Sequence, residues 1–160
     1  MRKPPGGSRK IKVFISYSHR DRTFRKNLDQ YLKNLMRNYP AVSWHDGEIS
    51  PGIDFEKEIE KNLREAQLIL LLVSQNFIAS DYCHDKEMKE AMERHDAKEA
   101  RVIPIILQPS QWQGDDTPFG KLLALPRDGK PITKWSNRAE AYLNIADGIK
   151  QAIIDLLNKS

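Results

Sequence analysis

The chain holds one cysteine, Cys83, so no internal disulfide is open to it. That fits a reducing compartment, and a cytoplasmic setting is expected. Long apolar runs are also missing. The longest, Leu68 to Val73, is far too short to span a bilayer. The opening stretch MRKPPGGSRK carries charge but no apolar core, so it does not read as a secretory signal. No membrane partner is expected. Neither GxGxxG nor GxxxxGK(S/T) occurs, which removes the usual glycine-rich phosphate cradles, and there is no CxxC. Charge of one sign is not in large excess. The net charge is +4, and the opening ten residues alone contribute four Lys/Arg against no acid. The body is close to balanced, and no basic stripe is interleaved with aromatics, so no nucleic-acid partner is expected either.

What remains is a globular composition, with 39% apolar and 30% charged residues over a length of 160. That is enough for one core. Pro4, Pro5, Gly6 and Gly7 mark 1–9 as a flexible basic tail ahead of one domain over 10–160. Strands are expected at IKVFIS (11–16), AVSW (41–44), LILLLVS (68–74), RVIPIIL (101–107) and, shortest, PIT (131–133). The third is apolar throughout, which suits a central parallel strand. Pro104 in the fourth favours an edge or a bulge. Helical spacing links Phe24 to Met36, Phe55 to Ala66, Met88 to His95 and Ala139 to Leu157. Tyr39-Pro40 ends the first of these. The alternation predicts an α/β fold, a parallel sheet with helices on both faces and right-handed crossovers.

In such sheets ligands bind beyond the carboxyl ends of the strands. Ser16 to His19, His45 to Glu48, Ser74 to Glu87, Gln108 to Trp112 and Lys134-Trp135 all fall on that rim. His45, Asp46, His84 and Asp85 match no metal-ligand spacing, so no metal is expected. Cys83 has only the adjacent His84 as a base and reads as a half-buried structural thiol. Ser18 or Asp21 is expected to cap the first helix, and Ser80 or Asp81 the helix that carries Glu87. Trp44, Trp112 and Trp135 read first as packing, and second as walls for a flat ring. Glu87 has two readings. It complements the dipole of its helix, or it faces a cleft from the border of the stripe Met88-Ala91-Met92-His95 and does chemistry there.

The stretches KVFISYSHRD (12–21), WHDGEISPG (44–52), LILLLVSQNFIASDYCHDKEM (68–88), RVIPIIL and WQGDDTPFGKLLALPRDGKPITKW (112–135) resemble a toll/interleukin-1 receptor (TIR) domain of the bacterial type. The resemblance implies a flavodoxin-like sheet of five parallel strands. Many bacterial and plant members cleave NAD+ at the nicotinamide–ribose bond as immune or defence effectors. Most animal members are non-catalytic scaffolds that self-associate. NAD+ is then substrate, no separate cofactor is implied, and other TIR domains are partners by self-association. The catalytic glutamate follows the aromatic-Cys pair after the third strand, which carries over to Glu87. Many relatives place it four residues after the aromatic. Here Lys86 holds that position after Tyr82 and Glu87 comes one later, with Glu90 as the fallback. The resemblance implies a substrate site floored by Ser16 and Tyr17, with His19 toward the phosphates. By the same resemblance the loop 45–52 would form its lid or wall, with Asp46, Gly52 and Phe55 nearest, and Tyr82 would border the ring.

Overall fold

A computed structural model of the chain describes residues 10–48, 51–80 and 85–159. The expected tail, 1–9, lies outside them. Four strands form one parallel sheet in the order β2-β1-β3-β4. They are β1 (Ile11–Ser16), β2 (Ala41–Trp44), β3 (Leu68–Val73) and β4 (Arg101–Ile106). Among the described residues five α-helices accompany them, α1 (Arg22–Asn38), α2 (Phe55–Glu65), α3 (Gln75–Ala79), α4 (Lys86–Asp96) and α5 (Arg138–Asn158).

Every side chain of β3 is buried. Its register sets Val13 against Leu68 on one side and Leu68 against Arg101 on the other. Alternation along the strands then divides the core in two. Ile11, Val13 and Ile15 join Leu68, Leu70, Leu72, Ile103 and Ile105 beneath α1 and α5. Phe14 joins Ile69, Leu71, Val73, Val102 and Ile106 beneath Leu63 of α2 and Met88 and Ala91 of α4. On the first face the rings of Tyr31 and Tyr142 stack 5.2 Å apart at 11°, locking α1 to α5. As expected, α1 stops at Tyr39, whose N–H donates to Leu35 O at 3.1 Å just before Pro40.

Five strands were expected, and among the described residues there are four. Residues 131–133 do not extend the sheet. Pro131 has no N–H to give a ladder, and Ile132–Lys134 is a 3-10 turn. Ile132 is buried nonetheless, so its apolar character serves packing and not pairing. The outer edge of β4 is instead met by Leu125, which donates its N–H to Pro104 O at 2.9 Å and accepts from Ile106 N–H at 2.8 Å. Pro104 therefore sits in an edge strand, as its missing N–H demands.

The third strand also ends one residue early. Ser74 leaves it to cap α3, a helix absent from the sequence reading, by accepting from Phe77 N–H at 3.1 Å. The same hydroxyl donates to Asp21 Oδ2 at 2.5 Å. Asn76 Nδ2 donates to Asp21 Oδ1 at 3.2 Å. Asp21, 2% exposed, thus does not cap α1 as expected. It ties the carboxyl end of β3 to the loop after β1. Ser74→Ala would remove both the cap and a donor to a buried carboxylate, at a cost of about 2–4 kcal/mol. In urea unfolding the midpoint should fall at an unchanged slope. An unshifted midpoint would mean that this tie is idle.

Candidate functional site

The end of β1 opens into a cavity of about 370 Å³. Phe14, Ile15, Ser16 and Tyr17 form its floor, Ser18, His19 and Arg20 one side, and Asp46, Phe55, Ile59 and Ser80 the rest. The local sequence builds that side. Ser18 accepts from Arg20 N–H at 3.3 Å and starts a 3-10 turn over His19–Asp21. The turn is held from below by the buried Asp21. Opposite it, Asp54 caps α2 by accepting from Lys57 N–H at 3.0 Å, which presents Phe55 and, one turn on, Ile59.

Polar groups meet at the mouth. His19 Nε2 lies 3.0 Å from Asp46 Oδ2. The other carboxylate oxygen, Oδ1, is buried without a hydrogen-bond partner among the described residues. Behind this pair the Arg25 guanidinium lies 5.3 Å from the Tyr17 ring centre, and Arg25 Nη1 donates to Asp29 Oδ2 at 2.6 Å. His45 meets Tyr17 edge-on with ring centres 5.9 Å apart. Burial raises the Tyr17 pKa above the usual phenol range, with the nearby Asp46 charge adding to the rise and Arg25 opposing it. Burial, then the Arg25 charge, lowers His45 below the usual histidine range.

Glu87 stands in the first turn of α4. Ser80 does not cap this helix, and Asp81 lies outside the described residues. Asp85 caps it, with Oδ1 accepting from Glu87 N–H at 3.1 Å and from Met88 N–H at 3.4 Å. Ser80 instead ends α3, its hydroxyl donating to Phe77 O at 2.6 Å. The residues beside Glu87 are engaged with α2. Lys86 Nζ pairs with Glu60 at 2.7 Å, and Arg64 pairs with Glu90 at 3.3 Å. Glu90, the fallback, is therefore held in an ion pair. Glu87 is half-buried and belongs to no ion pair among the described residues. Burial raises its pKa foremost. Its own backbone N–H opposes that, and the Asp85 carboxylate beside it pushes it further up.

Of the site residues named from the sequence, Ser16, Tyr17, His19, Asp46 and Phe55 gather around the one cavity. Gly52 and Glu87 are not in its lining. Gly52 takes φ +88 in an open turn with nothing within 4 Å of a would-be Cβ. Tyr82, with Asp81, Cys83 and His84, lies outside the described residues. The tryptophans do not wall a cleft. Trp44 packs on Phe14 at 5.4 Å, Trp112 is buried, and Trp135 lies beneath Arg127 and Lys130, each 5.6 Å from its ring centre. Phe14, Arg20, Ile59 and the supporting Arg25 were missed. Only Ile59 left a signal, its helical spacing from Phe55.

A sequence profile described as the TIR domain matches residues 13–143. An uncharacterized protein of Sinorhizobium fredii (strain NBRC 101917 / NGR234), y4lF, is 49% identical over 140 residues, which are 88% of this chain and 43% of that protein. The disease resistance protein TAO1 of Arabidopsis thaliana is 23% identical over 83% of this chain and 11% of its own length. The chain thus spans less than half of either relative. The TIR domains of the activated Roq1 resistosome, which directly recognizes the pathogen effector XopQ, share the fold with a TM-score of 0.52 and 18% identity. That match covers 94% of this chain and 86% of that one.

The two readings of Glu87 make opposite claims about stability. A raised folded-state pKa means that the folded chain binds the proton more tightly than the unfolded chain. The stabilisation from that proton is fully present below the unfolded pKa and is lost as pH rises through the folded one. Glu87→Gln, which cannot ionise, should therefore melt higher than the parent at neutral pH, with the gap closing in acid. If Glu87 served mainly the helix dipole, the substitution would lower the neutral melting temperature instead.

Proposed function

The chain belongs to the TIR domain family, and on that premise we propose that it cleaves NAD+ at the nicotinamide–ribose bond. The observation that carries this reading is the Asp46 oxygen buried without a donor among the described residues. It belongs to a residue on the wall of an apolar-floored cavity at the carboxyl end of β1. A desolvated acceptor left unpaired is costly, and a ligand hydroxyl would satisfy it. A ribose supplies such hydroxyls. His19 and Arg20 at the same mouth suit phosphates, and Phe14, Phe55 and Ile59 suit a flat ring.

The chemistry needs one carboxylate. Glycosidases acting on ordinary sugars pair two, because an alkoxide must be protonated as it leaves. Nicotinamide takes the electron pair of the breaking C1′–N bond and departs as a neutral amine. An oxocarbenium-like ribose remains, and Glu87 would stabilise its positive charge. Water then adds to C1′ and loses a proton. A carboxylate with a raised pKa is the better acceptor for it. Attack by a nucleophile of the same molecule would give a cyclic product in place of linear ADP-ribose.

We infer further that the domain is the effector part of a larger immune or defence protein and is activated by self-association. The disease-resistance relative and the greater length of both relatives support this. So does the assembled state of the structural neighbour. The second reading, a non-catalytic scaffold, draws on the absence of Glu87 from the cavity lining.

Glu87→Ala should lower kcat/KM for NAD+ on the order of a hundredfold or more, and its unfolding midpoint should stay near the parent's. Glu87→Gln should be nearly as inactive. Glu90→Ala removes only a partly exposed ion pair, worth about 0–1 kcal/mol, and should stay active. An active Glu87→Ala beside an inactive Glu90→Ala would move the catalytic role one turn along α4. Specific activity should also climb steeply with protein concentration. A flat dependence would argue for a self-sufficient monomer, and inactivity of the parent in a verified assembly would favour the scaffold.

A further inference from the structure

The turn Asp46–Glu48 carries the unpaired Asp46 oxygen, so whatever holds that turn also holds the ligand contact. His45 is the residue placed to do it. Its Nδ1 accepts the Gly47 N–H at 3.0 Å. An acceptor nitrogen carries no proton, so the single ring proton belongs on Nε2, which faces Glu48 Oε2 at 3.8 Å. The same Glu48 oxygen accepts His45 N–H at 3.0 Å, closing the turn from its other end. The ring also lies hard against the turn. A Cβ added to Gly47 would come within 2.7 Å of His45 Cε1 and 3.8 Å of the Tyr17 hydroxyl. A side chain at that point would have to displace the His45 ring.

We propose that His45 is a positioning residue, whose neutral Nδ1 clasps Gly47 and thereby aims Asp46 at a ribose hydroxyl. The inference rests on the NAD+ reading of this cavity. It adds a pH dependence that the reading lacks. A proton on Nδ1 would set N–H against N–H, open the clasp and free the turn. The groups facing the ring decide when that happens. Arg25 of α1 opposes the added charge and Asp29 of the same helix favours it, while Lys33 and Arg37 of α1 line the groove that His45 shares. Asp46 and Glu48 on the turn favour it too, and Tyr17 from the end of β1 is uncharged until strongly basic pH. Burial and Arg25 prevail, so the clasp survives below the ordinary histidine range and fails as pH falls through the depressed pKa.

The test uses the whole chain and ADP-ribose, followed by calorimetry between about pH 8 and about pH 5. The parent's Kd should weaken about five- to tenfold as pH falls through the His45 titration, which the Gly47 amide resonance locates, as expected for one lost hydrogen bond. His45→Asn puts an amide oxygen where Nδ1 stands and cannot titrate. It should bind like the parent at about pH 8 and keep that affinity at about pH 5. His45→Gln carries its amide one bond further out and should bind weakly at both. Equal effects of the two variants at the upper pH, or an acid loss retained by His45→Asn, would overturn the proposal. The Gly47 amide resonance of the ligand-free protein gives an independent readout. It should move with the His45 titration in the parent and stay fixed in His45→Asn, and a Gly47 signal indifferent to that titration would also overturn the clasp. If the parent binds no ADP-ribose while its Gly47 amide follows His45, the clasp stands and the NAD+ reading falls.

Discussion

Leu68–Val73 has no exposed side chain, and that constraint governs the rest of the molecule. A strand buried on both faces needs hydrogen-bonded neighbours on both edges and helices above and below. β1 and β4 supply the edges. α1 and α5 cover one face, and α2 and α4 the other. Parallel pairing then forces every crossover to run over a face, so the loops that leave the carboxyl ends of β1, β2 and β3 emerge together. The cavity is made from those loops because the central strand admits no other arrangement.

Loops that merely meet do not make a site, and here they are fixed by polar ties. Asp21 accepts from Ser74 and Asn76, joining the loop after β1 to the end of β3. His19 and Asp46 join the loops after β1 and β2. Lys86, Glu60, Arg64 and Glu90 clip the start of α4 to α2. These ties differ in strength. The Asp21 cluster is shielded from water, and losing one member strands a buried charge. The α2–α4 pairs are partly exposed and add little to stability individually. They matter as spacers, since they engage the neighbours of Glu87 and leave that carboxylate unclaimed.

Hydrophobic patterning made the strands and most of the helices legible in the chain itself. A buried six-residue apolar run, short apolar β-branched runs such as IKVFIS and RVIPIIL, and a proline after Tyr39 act locally and need no partner to be recognised. The rim followed from the same pattern, and with it Ser16, Tyr17, His19 and Asp46, while Phe55 came from the family resemblance; all five line one cavity. Local pattern failed where one residue type has several partners to choose from. Asp21 and Ser80 both look like helix caps, since a short polar side chain before an apolar run is the usual signal. Asp21 is claimed from across the fold by Ser74, 53 positions later, and Ser80 by the carbonyl of Phe77. PIT reads as a strand by composition, but whether an apolar triplet pairs or turns depends on what already occupies the edge. Leu125 meets the edge of β4.

What the sequence by itself determined is therefore the layering: which segments are strands, which lies at the centre, which helix faces are buried and which strand ends form the rim. Those features follow from side-chain period, and period is a property of consecutive residues. Only the tertiary structure decided the rest. It left Asp46 with a buried oxygen unpaired among the described residues, engaged Glu90 with Arg64, set Arg25 behind Tyr17 and pressed His45 against Gly47. Each of these depends on the distance between side chains and on the water excluded around them. Exclusion of water is what moves a pKa or makes an unpaired oxygen costly, and no run of neighbouring letters records how much of it a fold achieves.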